Sequence, residues 1–144
     1  IALEQVPLVA VARDVVSSIA PAVITAGRTI DLKIDDEGAA VRGRREAIAA
    51  ALRNLVENAV RATPVGGAIH VRVGPGLIVS VADDGPGLTP DRLRELARRH
   101  CRADHASNDG AGLGLAIVKR IMAAHGGQLE THPEKSEISL NFSR

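Results

Sequence analysis

A chain of 144 residues, 45% apolar and carrying a net charge of +1, is long enough for one hydrophobic core and has no electrostatic footprint for nucleic acid. One phenylalanine, with no tyrosine or tryptophan, leaves almost no rings on which bases could stack, so nucleic-acid binding is set aside. The lone Cys101 rules out an internal disulfide, no Cys/His cluster has zinc spacing, and no apolar run approaches the roughly 20 residues that span a bilayer, which together suit a cytoplasmic chain.

Residues 7–25, opening at Pro7, put Leu8, Val11, Val15, Ile19 and Val23 on one stripe and predict a helix, with Pro21 as a candidate break. TIDLKID at 29–35 alternates apolar and polar residues, and AAVRG at 39–43 is a short apolar run; both read as strands. In RREAIAAALRNLVENAVRA, 44–62, Ile48, Leu52, Leu55, Val56 and Ala59 share one helix face. Asn54, Asn58 and Arg61, spaced i, i+4, i+7, form a polar stripe on the other. The helix stops at ATPVGG, and strands at 68–73 and 77–83 follow as a hairpin around Gly74, Pro75 and Gly76.

DDGPGL at 83–88 breaks the second of these strands. Thr89 and Pro90 open a short helix, PDRLRELARRH, and CRADHASNDGAG reads as loop. LGLAIVKRIMAAH, 113–125, is a second strongly amphipathic helix closed by Gly126 and Gly127. Two alternating strands, QLETH and SEISLNF, end the chain on either side of Pro133, Glu134 and Lys135. The inventory predicts an α+β fold: a two-layer sandwich in which a mixed sheet of about five or six strands is covered on one face by three long helices.

Three stretches carry chemistry. Asparagine is a poor helix-interior residue, because its amide competes for nearby backbone groups, so Asn54 and Asn58 call for an explanation by their side chains. A solvated face or an inter-helix hydrogen bond is one; a hard amide oxygen for Mg²⁺, with Arg61 meeting a phosphate, is another. Asp83 and Asp84 end a strand on opposite faces, and the more buried carboxylate needs donors such as an adenine amino group or backbone amides. Gly85 and Gly87 allow a ligand close to the backbone, although Asp and Gly also form ordinary turns. GAGLGL, 110–115, opens the last long helix, where free amides and the helix dipole favour a phosphate; a flexible entry to a structural helix reads equally well. It is neither a Rossmann fingerprint nor a P-loop.

Together these stretches resemble the ATP-binding domain of sensor histidine kinases, the Bergerat fold of a superfamily that also holds gyrase-type, Hsp90-type and mismatch-repair ATPases. LRNLVENAVRAT is similar to the family's N box (about 50–63), DDGPGL to its G1 box (83–88) and GAGLGL to its G2 box (110–115), with an ATP lid at 88–111, in one domain spanning 1–144. The resemblance implies ATP and Mg²⁺ as cofactors. It makes Asn58 the metal ligand, sets Asn54 and Arg61 facing the phosphates as the catalytic pair, and gives Asp83 the adenine amino proton. Gly85 and Gly87 would shape the adenine pocket; Gly110, Gly112, Leu113, Gly114 and Leu115 would bring backbone to the phosphates. Arg61 stands where these kinases have Lys, the phenylalanine-rich F box is replaced by LARRHCRAD, and the last glycine-rich box is degenerate at EKSEIS.

The expected activity is transfer of the γ-phosphoryl group to a histidine on a separate, upstream dimerisation and phosphoacceptor domain. None of His70, His100, His105, His125 or His132 is followed by Asp or Glu, as that acceptor is in the family. Where the superfamily's hydrolytic ATPases use a Glu base, this chain has Asn54, which cannot take a proton from water. A superfamily ATPase, an anti-sigma-factor serine kinase or a non-enzymatic adenine-nucleotide-binding module would share the pocket. The resemblance further implies a response regulator as partner of the full-length kinase. The domain would be cytoplasmic, part of a membrane-anchored sensor, without membrane contact of its own.

Overall fold

The computed structural model describes residues 3–84 and 111–143. Its elements are β1 (Glu4–Pro7), α1 (Leu8–Thr25), β2 (Thr29–Ile34), β3 (Ala40–Gly43), α2 (Arg45–Ala62), β4 (Ala68–Val73), β5 (Ile78–Asp83), α3 (Ala111–Ala124), β6 (Gln128–His132) and β7 (Glu137–Asn141). A 3-10 turn, Pro133–Lys135, separates the last two strands.

Five strands form one sheet in the order β2-β4-β5-β7-β6. β2 and β4 are parallel, joined by a crossover through α2, whereas β4–β5, β5–β7 and β6–β7 are antiparallel. Alternation sends Ile69, Val71, Val73, Val79, Val81 and Leu140 toward the helices, where all are buried. Leu8, Val11, Val15, Ile19 and Val23 of α1 and Ile48, Leu52, Leu55 and Val56 of α2 meet them in a single cluster. Among the described residues the architecture is α+β, a mixed five-stranded sheet with three helices.

Three features differ from the sequence reading. β1 was not among the predicted strands: it pairs with β3 as a separate two-stranded sheet, and Pro7 ends it as the N-cap of α1 rather than opening the helix. Pro21 does not break α1, which runs on to Thr25; Pro21 and Ser17, whose carbonyl loses its partner, lie on the exposed side, where water can replace the missing amide. By length and composition α1, with a mean hydropathy of 1.6 over 18 residues, does reach bilayer-spanning length, contrary to the sequence reading. Its apolar stripe is packed into the core, as in the core helix of a globular domain.

The last long helix is tied back to the start of α2 by His125. The Arg44 amide donates to His125 Nε2 at 3.1 Å, and Nδ1 lies 2.7 Å from the Ile121 carbonyl oxygen, so the ring is held at both nitrogens. Phe142 meets the same ring edge-on at 6.3 Å. Gly43 leaves room for it: a Cβ there would stand 2.3 Å from His125 Cδ2. Gly43→Ala should therefore destabilise the fold by about 1–3 kcal/mol through forced displacement of the ring. Thermal unfolding checks this. The loss should shrink in a Gly43→Ala/His125→Ala pair, where the obstacle is gone; an unchanged midpoint in the single variant would refute the clash.

Candidate functional site

α2 lies over β4 and β5 and against α3. Asn54 donates Nδ2–H to the Ala50 carbonyl at 2.9 Å, which fixes its side chain and leaves Oδ1 directed at α3. There it meets Gly114. A Cβ on Gly114 would lie 3.0 Å from Asn54 Oδ1, tighter than ordinary contact, so glycine is what lets the first turns of α3 approach the asparagine.

One turn on, Asn58 Oδ1 accepts a long 3.3 Å bond from Arg61 Nη1. Its other amide atom, Nδ2, is buried and has no hydrogen-bond partner among the described residues. A buried polar atom in that state is costly, and native proteins keep few of them outside functional sites. The end of this helix is secured from a distance. Arg28 Nε and Nη2 both donate to the Thr63 carbonyl oxygen, at 2.9 and 2.7 Å, and Thr63 Oγ1 donates to Ala59 O at 2.6 Å. Arg28 was absent from the sequence reading, because nothing local marks an arginine in the loop after α1 as the anchor of α2.

Asp83 closes β5 on the helix-facing side, in register with Ile69 and half-buried. Its carboxylate Oδ1 accepts a 2.9 Å hydrogen bond from Ser136 Oγ, and its amide donates to the Ser136 carbonyl at 3.2 Å. Ser136 adopts a left-handed conformation, φ 50°, between the 3-10 turn and β7. It belongs to the stretch that matched its family box poorly, and only the β5–β7 pairing brings it to Asp83.

Asp84 points to the opposite face. There His70 Nε2 lies 2.7 Å from Asp84 Oδ1, and His70 Nδ1 lies 2.7 Å from Asp31 Oδ2. Burial is the largest influence on this imidazole and lowers its pKa, but hydrogen bonds to Asp84 and Asp31 and their negative charges outweigh it and leave the pKa raised above 6.5.

The structure thus brings Asn54 and Gly114 together and sets Asn58 and Arg61 along the same stripe of α2. Leu115 is half-buried against the core. Gly112 and Leu113 belong to the first turn of α3. Gly85, Gly87 and Gly110, with the predicted short helix and lid, lie outside the described residues.

The sequence pattern of the histidine kinase-, DNA gyrase B-, and HSP90-like ATPases matches residues 43–143. The sensor protein kinase PmrB of Pseudomonas aeruginosa is 37% identical over 134 residues, covering 88% of this chain and 28% of that protein. The catalytic domain of the histidine kinase ThkA superposes with a TM-score of 0.76 at 26% identity, over 97% of this chain and 95% of that one. ThkA in complex with the response regulator protein TrrA gives 0.72 at 24% identity, over 96% and 40%. The chain spans about a quarter of the length of the curated relative it matches.

Proposed function

The chain belongs to the histidine kinase-, DNA gyrase B- and HSP90-like ATPase family and is homologous to the catalytic domains of two-component sensor kinases, and from that premise we propose how its residues work. In this reading residues 1–144 are one domain that holds Mg·ATP and hands the γ-phosphoryl group to a histidine on a separate dimerisation and phosphoacceptor domain. The observation that carries the reading is the Asn54–Gly114 seam, which sets the N-terminal turn of α3, with its free amides and positive dipole end, beside the asparagine stripe.

Asp83 accepts the adenine amino N–H, and the Ser136 hydroxyl keeps the carboxylate oriented for it. Backbone amides from Gly112 to Leu115 meet the phosphates. Arg61 adds a cation one turn beyond Asn58 and two beyond Asn54. Asn58 Oδ1 fits Mg²⁺: it is a neutral hard oxygen with one long hydrogen bond, and Mg²⁺ in nucleotide sites takes few protein ligands besides phosphate and water. When bound, the ion supplies neutralisation of phosphate charge. Asn54 offers no base to activate water, so transfer to an acceptor is favoured over hydrolysis. Gly85, Gly87 and Gly110 are assigned to the nucleotide pocket and residues 88–111 to the ATP lid. A response regulator then receives the phosphoryl group from the full-length kinase, and the domain works in the cytoplasm as part of a membrane-anchored sensor.

Incubation with labelled ATP tests the division of labour. The chain alone should stay unlabelled, and label should appear on an added phosphoacceptor domain of a related kinase. Strong self-labelling, or fast release of phosphate without an acceptor, would overturn it.

A further inference from the structure

Three charged groups meet on the sheet face opposite the described helices, beside Asp83, and the reading above uses none of them. Asp31 of β2 is in register with His70 of β4, and Asp84 follows the last residue of β5. Both ring nitrogens of His70 are 2.7 Å from a carboxylate oxygen. A neutral imidazole has one N–H and one lone pair, so in that form one carboxylate would face a lone pair. Only the imidazolium donates to both.

We propose that His70, as an imidazolium clamped between Asp31 and Asp84, is a positioning residue for the nucleotide site at Asp83, and that nucleotide affinity falls when it loses its proton. The inference rests on the proposed role of Asp83. The lever is one peptide long. The Asp84 amide donates to the Ala68 carbonyl at 3.0 Å while its side chain is held by His70, so the backbone leaving β5 is fixed at two points on this face. Asp83, on the other face, accepts from the Ser136 hydroxyl and donates its amide to the Ser136 carbonyl. Loss of the His70 bond releases one of the two fixed points and loosens the exit from which Asp83 projects.

The other titratable and charged groups that register puts on this face, among the described residues, are Lys33 and Asp35 at β2, Arg72 of β4, Glu137 of β7, which is in register with Ala82, the neighbour of His70 on β5, and, farther along, Glu130 and His132 of β6. Arg72 is paired with Asp35. With Arg72 and Asp35 committed to each other, Asp31, Asp84, Glu137 and the more distant Glu130 outnumber Lys33 and favour a positive ring. The raised pKa agrees in sign: the clamp is complete below about 6.5 and is lost as pH rises through the higher folded value.

The test is calorimetric titration of the 144-residue chain with ADP, from about pH 5.5 to about pH 9, using native protein, His70→Gln and His70→Arg. Arginine keeps its charge throughout and can donate to both carboxylates; glutamine stays neutral. Affinities are compared as ratios at one pH, so the titration of the nucleotide cancels. Native protein should bind about threefold or more tighter than His70→Gln at the acidic end and equally at the alkaline end. His70→Arg should match native protein when acidic and exceed it when alkaline. A native-to-Gln ratio that does not change with pH overturns the proposal. Should either variant lose cooperative unfolding, the linkage is read on native protein by NMR: saturating ADP must raise the pKa of His70, and an unchanged value overturns the proposal equally. Asp83→Asn separates the two levels. If it binds ADP like native protein, the pocket reading fails; if it loses affinity while the His70 ratios stay flat, only the clamp fails.

Discussion

Asp83→Asn should weaken ATP binding by about ten- to a hundredfold while the chain remains folded. The substitution keeps the shape of a half-buried side chain and changes what its atoms can accept. An ionised carboxylate presents only acceptors, so one oxygen can take the Ser136 hydroxyl and the other an adenine N–H. An amide has one accepting oxygen. Turned toward Ser136, that oxygen leaves the NH₂ group facing the adenine amino group, donor to donor; flipped, it meets adenine without the charge. Either arrangement gives up a charge-assisted bond of about 1.5–3 kcal/mol, which is the expected loss of affinity. Calorimetry with ATP measures it, and Ser136→Ala should cost less, since it removes a support of the carboxylate and not the acceptor. Binding within twofold of native protein in Asp83→Asn would remove Asp83 from the pocket.

Asn58→Ala should move stability and activity in opposite directions. Alanine is the better helix former by about 0.5–0.7 kcal/mol, and the change deletes a buried amide nitrogen that has no partner among the described residues. Unfolding free energy should rise by about 1 kcal/mol. Mg²⁺-dependent phosphoryl transfer to an acceptor domain should fall by about a hundredfold or more, with ATP binding in the absence of Mg²⁺ little altered. A residue kept at a cost to its own helix is one that function requires. If Asn58→Ala proves less stable than native protein and still transfers phosphate, the side chain is structural and the metal assignment falls.

Local periodicity made α2, α3 and the β4–β5 hairpin legible before any coordinates, because each declares itself within about a dozen residues. β1 did not. Four residues, Glu-Gln-Val-Pro, carry no period, and they become a strand only because β3 lies alongside. The same distance in sequence separates the candidate residues that the sequence singles out from those that only the structure brings beside them. Asn54, Asn58 and Arg61 announce themselves on one helix. Ser136 is 53 residues from the aspartate it contacts, Arg28 is 35 from the carbonyl it caps, and His70 is 39 from Asp31. Such pairs are set by strand register and chain return, which no window of sequence contains. Pro21 misled for a related reason: its effect on α1 depends on which side of the helix faces water.

The edge-on contact between Phe142 and His125 gives the protein a built-in reporter. With a single phenylalanine and no tyrosine or tryptophan, the chain has almost no intrinsic fluorescence to follow, but its aromatic proton spectrum contains one phenyl spin system and five imidazoles. The phenyl ring current falls on His125, whose chemical shift therefore registers whether the C-terminal end of α3 stays seated on Phe142. If the phosphates dock at the other end of that helix as proposed, adding nucleotide and watching this one resonance distinguishes a rigid α3 from one that rocks along its length.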